Sequence, residues 1–231
     1  MRWPFTRHGT EPLLWSTVVL LGGAVVLWRW TPVPWAASVP IALWLFVLSF
    51  FRDPERRAGG DDLDLVAPAD GLVADIVTVE DPALDRPCLR IGIFLSVFNV
   101  HVNRVPCAGT VSAVEHRAGK CLDARDPRAA EENRAATITI ERDDGRAVAI
   151  RQVTGLIARR IVCPVDAGQR FARAERYGMI RFGSRTELII PVADLEQALV
   201  SVGETVRGGE TLLARLKPGL ARLKPGAGNA G

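Results

Sequence analysis

Lysine is nearly missing from this 231-residue chain. Only Lys120, Lys217 and Lys224 occur among 29 basic residues, the rest being arginine. Guanidinium groups suit phosphate recognition. So uniform a preference reads first as the composition of a GC-rich genome, and most of these arginines carry no functional message. Cysteine is sparse too. Cys88, Cys107, Cys121 and Cys163 form no C-x-x-C pair and have no histidine at zinc-ligand spacing, which argues against a metal site and for buried free thiols in a reducing compartment. Histidine is limited to His8, His101 and His116. A net charge of +3 with a pI near 8.9 is too mild for a nucleic-acid binder.

What is abundant is apolar and gathered at one end. Residues 13–28 (LLWSTVVLLGGAVVLW) and 33–51 (VPWAASVPIALWLFVLSFF) are apolar runs separated by Arg29, Trp30 and a TPVP turn. A bilayer core takes about 20 helical residues, with a lower limit near 17. By apolar length the second run qualifies and the first does so marginally. All six tryptophans lie in the first 51 residues, mostly near the run ends, where an aromatic belt would sit. Arg2 and Arg7 flank one side and Arg52, Arg56 and Arg57 the other, with only Arg29 at the loop. The positive-inside rule then puts both ends on the cytoplasmic face. The chain divides into a membrane anchor (1–51), a linker (52–63), a domain (64–213) and a flexible tail (214–231) carrying ARLKPG twice.

The domain reads as mostly β. Runs such as LVADIVTV (72–79), CLRIGIFLS (88–96), GTVSAVEH (109–116), ATITIER (136–142) and AVAIRQVTG (147–155) alternate or are rich in β-formers, and DDG at 143–145 is a hairpin signal. The charged segment 119–135 reads as a loop or short helix. VDAGQRFARAERY (165–177) repeats as VSVGETVRGGETL (200–212) at an offset of 35 residues. The repeated pattern resembles the hairpin units of lipoyl and biotinyl carriers and predicts a β-sandwich or barrel. No lysine lies between Lys120 and Lys217, so carrier chemistry is absent.

Three sites gain meaning together. Gly183-Ser184, within RFGSRTELIIP (181–191), is an ordinary dipeptide before a strand. His101, within FLSVFNVHVNRVPCAG (94–109), sits in a strand-like run where a histidine is more often a satisfied core residue than a base. Asp70, within VAPADGLV (66–73), fits a β-turn. His8 and His116 receive no role.

The joint pattern resembles the phosphatidylserine decarboxylase family in its short prokaryotic form. FFRDPER (50–56), VAPADG (66–71), IGIFLSVFNVHVNRVP (91–106), Glu132-Asn133 and RFGSR (181–185) occur in the family's order, with FGSR where longer members carry LGST. The resemblance implies a proenzyme that cuts itself between Gly183 and Ser184. The Ser184 hydroxyl attacks the Gly183 carbonyl, exchanging a peptide bond for an ester. Elimination then severs the chain, and hydrolysis of the resulting dehydroalanine leaves a pyruvoyl group, the covalent cofactor, on the fragment 184–231. That α chain stays with the β chain, 1–183, as a heterodimer that can assemble further. His101 is implied as general base, with Asp70 orienting and charge-stabilising it. The substrate is a membrane lipid, phosphatidylserine, decarboxylated to phosphatidylethanolamine, and one arginine, for instance Arg104, is expected to hold its phosphate. Three alternatives stay open: another serine-headed lipid such as archaetidylserine, a non-catalytic membrane-tethered adaptor, and a degenerate family member that binds lipid without cutting itself.

Overall fold

The two apolar runs fold into helices of unequal length. α1 (Thr10–Trp30) has 21 residues and α2 (Ser38–Phe50) has 13, the latter entered through a 3-10 turn at Pro34–Ala37. At 1.5 Å per residue α1 is roughly 30 Å long, the thickness of a bilayer core. It is the one helix among the described residues long and apolar enough to cross a membrane. The order expected from apolar length is therefore reversed. Thr10, Glu11 and Pro12 extend the first helix beyond its apolar run, since proline is tolerated in a first turn. Residues 33–37 of the second run are spent on the turn. The helices pack side by side, and Trp44 Nε1 donates to Thr17 Oγ1 at 3.0 Å. Leu14, Trp15, Val18, Trp28 and Leu45 face outward. The stem of the pair is closed by backbone bonds from Thr6 N to Phe51 O (3.0 Å) and from Asp53 N to Pro4 O (2.8 Å). The chain thus enters and leaves the pair at one end.

This computed structural model describes residues 4–156, 160–181 and 184–218. The β region comprises β1 (Asp64–Val66), β2 (Gly71–Asp81), β3 (Arg86–Leu95), β4 (Val102–Arg104), β5 (Gly109–Arg117), β6 (Ala135–Glu141), β7 (Ala147–Val153), β8 (Arg160–Val162), β9 (Arg170–Phe171), β10 (Arg176–Arg181), β11 (Ser184–Pro191), β12 (Leu195–Ala198), β13 (Thr205–Val206) and β14 (Leu212–Leu216). The segment 119–135 contributes one short helix, Ala129–Glu132. An antiparallel sheet runs β13-β2-β3-β11-β7-β6-β5-β9, and two smaller sheets run β4-β10-β8 and β1-β14-β12. All four cysteines are unpaired; Cys88 and Cys107 are buried, Cys121 and Cys163 only partly so.

The large sheet is pseudo-symmetric about its β11-β7 centre. The repeated segments close its two edges in matching ways. Gly203 N donates to Val73 O and Val73 N to Glu204 O, while Gly168 N donates to Val111 O and Val111 N to Gln169 O. Gly168 and Gly203 both take φ near +90° (87° and 91°), a conformation that glycine adopts without steric cost. Gly209 and its counterpart Ala174 are left-handed as well. A second pair of segments matches: Pro68-Ala69-Asp70-Gly71 and Pro106-Cys107-Ala108-Gly109. Val66 N donates to Pro106 O and Arg104 N to Pro68 O, each at about the same length (3.0 and 2.9 Å).

Burial on both faces of the sheet explains its composition. Ile91, Ile93, Ile138, Ile150, Leu188 and Ile190 fill the main core on one face. On the other, Cys88, Ala149 and Ile189 form a smaller apolar cluster, beside a buried ionic one. Every residue of β11 is buried.

Candidate active site

Ser184 opens β11 and is wholly buried, and its hydroxyl has no hydrogen-bond partner among the described residues. Gly183, the other half of the expected cut bond, lies outside the described residues. An unpaired buried hydroxyl costs about 1–3 kcal/mol of desolvation, a condition that the Tyr177 hydroxyl and Gln152 Oε1 share among the described residues. Thr186 follows on the same face by the two-residue period of a strand. Its Oγ1 accepts from Asn103 Nδ2 at 3.0 Å, and Asn103 Oδ1 accepts from Gln152 Nε2 at 2.8 Å. This buried polar layer joins β11, β4 and β7. Two residues back from Thr186 is Ser184, and two residues back from Asn103 is His101.

His101 is fully buried just ahead of β4. Its Nδ1 lies 2.9 Å from the Asn99 carbonyl oxygen. A carbonyl only accepts, so Nδ1 carries the proton in the neutral ring and Nε2 is the basic nitrogen. Asn99 is itself fixed by a turn in which its Oδ1 accepts from Ser96 N and Oγ at 2.9 and 2.7 Å. The ring packs on Phe50, the last residue of α2, with centroids 4.3 Å apart. Burial pushes the imidazole down to about 4, the Asn99 contact opposes this, and the Arg52 charge adds to it. At neutral pH the ring is an uncharged base.

Asp70 occupies the bend before β2. Its Oδ1 accepts from Gly208 N at 2.8 Å and its Oδ2 from Arg56 Nη2 at 3.0 Å. Burial raises its pKa, against the Gly208 N–H and the Arg56, Arg52 and Arg104 charges. The contact recorded at the histidine Nδ1 is thus Asn99, and those recorded at the Asp70 oxygens are Arg56 and Gly208. Asp70 lines a cavity of ≈ 760 Å³ together with Arg52 and Val100, the neighbour of His101.

Other residues singled out in the sequence have structural partners. Arg104 is buried and clamps Asp53 (3.1 Å), Pro54 O (2.8 Å) and Ala174 O (3.0 Å). Asn133 is buried and latches Leu122 and Thr154 by their backbone, while Glu132 pairs with Lys120 on the surface. His116 is exposed on β5. Asn103, Gln152 and Thr186 were not predicted as site residues; the one signal was an uncharged polar side chain on the apolar face of a buried strand.

Beneath the start of β11, on the far face of the sheet, Arg185 pairs with Glu187 (Nε to Oε1, 2.7 Å) and with Asp75 (2.5 and 2.8 Å). Arg151 reaches Glu187 at 3.3 Å and grips Asp81 with two bonds of 2.9 Å. Gly92 makes room for this, because a Cβ there would strike the Arg185 guanidinium.

Fold and site together define a mostly-β enzyme with a water-excluded serine and histidine at the foot of an apolar helix pair. Comparison with known proteins narrows the class. The family model described as phosphatidylserine decarboxylase matches residues 43–214. The phosphatidylserine decarboxylase proenzyme of Trichlorobacter lovleyi is 46% identical over 214 residues, covering 93% of this chain and 94% of the relative. That of Geobacter sulfurreducens is 45% identical over 214 residues, with 92% and 97% covered. That of Gluconacetobacter diazotrophicus is 43% identical over 208 residues, with 88% and 91% covered. The chain belongs to the phosphatidylserine decarboxylase family.

Proposed function

We propose that this chain is a phosphatidylserine decarboxylase proenzyme that cuts itself between Gly183 and Ser184 and works with the pyruvoyl group derived from Ser184. The observation that carries the reading is the buried Ser184 hydroxyl, unpaired among the described residues, at the head of a strand whose polar layer leads to His101. The site fits the group, because the orphaned oxygen is the atom such a conversion would use and remove. His101 Nε2 takes the Ser184 hydroxyl proton as the oxygen attacks, and returns a proton to the amide nitrogen as the Gly183–Ser184 bond opens to the ester. Removal of the Ser184 α-proton then expels the Gly183 carboxylate. Water adds to the dehydroalanine, and ammonia leaves. Asn99 orients the ring, and Asp70 holds Arg56 and the Gly208 backbone in the cavity wall beside Val100, the neighbour of His101. Once formed, the pyruvoyl group supplies the electron sink that amino-acid decarboxylation needs and that no side chain provides. His101 is also suited to return a proton to the α-carbon after CO2 departs.

The apolar helix pair fits an enzyme whose substrate stays in the bilayer. Its closed stem supports a membrane hairpin with both ends on one side, which the flanking arginines make the cytoplasmic side. The matched edge turns at Gly168 and Gly203 support hairpin units of the lipoyl type. Residues 184–218 lie within the sheets, paired with strands of the first 183 residues, so the two fragments would remain together as an α/β heterodimer. The test is conversion of phosphatidylserine in mixed micelles by the purified protein, followed as CO2 release. Absence of CO2 release from a fully cleaved preparation contradicts the reading.

A further inference from the structure

We propose that the cavity beside Asp70 is the subsite for the phosphodiester of the lipid headgroup, with Arg207 and Arg52 as its ligands. The inference rests on the decarboxylase reading and names which charged groups of that site bind substrate rather than perform chemistry.

The cavity is lined by Arg52, Asp53, Glu55, Arg56, Asp70, Val100 and Arg207 among others, and Glu55 is exposed and in no ion pair among the described residues. Its charges are unevenly spent. Asp53 is neutralised by Arg104 (3.1 Å) and Arg176 (2.6 Å). Arg56 is taken by Asp70 (3.0 Å) and Glu210 (2.8 Å). Arg52 donates only to oxygens of Ser49 and Phe98, and the Arg207 guanidinium has no hydrogen-bond partner, among the described residues. Two guanidinium groups without a carboxylate therefore face one cavity, the arrangement a phosphate diester anion fits.

The pseudo-symmetry of the sheet provides an internal control. The turn that carries Arg207 is repeated at 165–177, where Ala172 stands in its place; the bend that carries Asp70 is repeated with Ala108. The fold therefore builds both turns without these side chains. Arg207 and Asp70 appear only in the half that adjoins Val100 and His101, so folding alone does not demand them.

Depth in the membrane agrees. Arg52 follows the end of α2, and its Nη2 donates to Phe98 O at 2.7 Å. Phe98 is 72% exposed and sets its ring against Phe46 of α2, with centroids 6.0 Å apart. An exposed apolar ring beside the foot of an apolar helix faces lipid, and Arg52, just past that helix, can carry its charged head out toward the lipid phosphates. A guanidinium suits the phosphate better than the serine carboxylate. The phosphate keeps its charge throughout the reaction, whereas a clamp on the departing carboxylate would stabilise the ground state and slow CO2 loss.

The test compares wild type, Arg207→Gln and Arg207→Lys on a short-chain phosphatidylserine in neutral detergent. Self-cleavage is read separately on a denaturing gel. Losing one charge-assisted contact should raise KM about 10-fold or more in Arg207→Gln, with kcat within about 3-fold and Arg207→Lys recovering most of the loss. For wild type, KM should rise as salt goes from about 0.05 to about 0.5 M, and the gap to Arg207→Gln should narrow. As a readout without turnover, the uncut Ser184→Ala chain should bind glycerophosphoserine by calorimetry, and Ser184→Ala/Arg207→Gln should bind it at least about 10-fold more weakly. Equal KM in cleaved, active wild type and Arg207→Gln, or a salt-independent wild-type KM, overturns the subsite. A wild type that neither cleaves nor turns over overturns the decarboxylase reading instead.

Discussion

Glu187→Gln should be among the most damaging isosteric changes in this chain. Glu187 is fully buried on β11, three residues after Ser184, and sits among three guanidinium groups: Arg185 at 2.7 Å, Arg151 at 3.3 Å and Arg90 at 3.7 Å. With Asp75 and Asp81 the cluster balances three cations against three anions. The amide keeps the shape and removes one anion, leaving a net buried charge. Removing one partner of a buried ion pair costs about 3–5 kcal/mol, which for a chain of this size is a fall in Tm of roughly 6–20 °C. Asp143→Asn supplies the reference. Asp143 also pairs with an arginine, Arg170 at 2.6 Å, but both side chains are more than half exposed, so its loss should cost at most about 1 kcal/mol. Thermal unfolding in detergent should be followed by far-UV circular dichroism, because all six tryptophans lie in the first 51 residues and report on the helices. Glu187→Gln should also cleave more slowly, since Arg185 pins the backbone next to Ser184. A Tm loss for Glu187→Gln no larger than that for Asp143→Asn refutes the reasoning.

Three further expectations follow from the same geometry. The folded His101 ring titrates near 4 and an unfolded one near 6.5, so the unfolded chain binds this proton first as pH falls. Stability from the neutral ring is complete above about pH 6.5 and is lost as pH drops toward 4, by about 2 kcal/mol at pH 5; denaturant midpoints at pH 7.5 and 5 measure it, and His101→Gln should lose that part of the dependence. Ala174 holds φ at 63° where its counterpart Gly209 is glycine, so Ala174→Gly should raise stability by about 0.5–1 kcal/mol in the same assay. Gly92→Ala drives a methyl into the Arg185 guanidinium and should reduce the fraction of chain cleaved on a gel, with an accompanying loss of Tm.

Much of this architecture was readable from residues alone, for identifiable reasons. The five β runs picked out by alternation correspond to β2, β3, β5, β6 and β7, and the repeat was visible because its glycines must adopt left-handed φ. The matching bends at 68–71 and 106–109 stayed hidden, since they share little more than a proline and a glycine. The ionic cluster was also invisible. Arg185 and Glu187 sit on the face that alternation assigns to water, and only the covering of that face buries them. Helix lengths were misjudged because apolar count ignores where prolines place the turn. At the candidate site, His101, Asp70 and Ser184 were picked out by motif. Asn103, Gln152 and Thr186 were not, because an uncharged polar residue on a buried strand is a weak signal until its partner, here across two sheets, is known.

The central claim is the conversion at Ser184, and intact mass spectrometry of the purified protein tests it most directly. The account predicts two species, a large fragment ending at Gly183 and a small one beginning with a pyruvoyl-blocked residue 184, and a Ser184→Ala chain that stays whole. A wild-type chain that remains a single 25.1 kDa species under conditions where it is folded contradicts it.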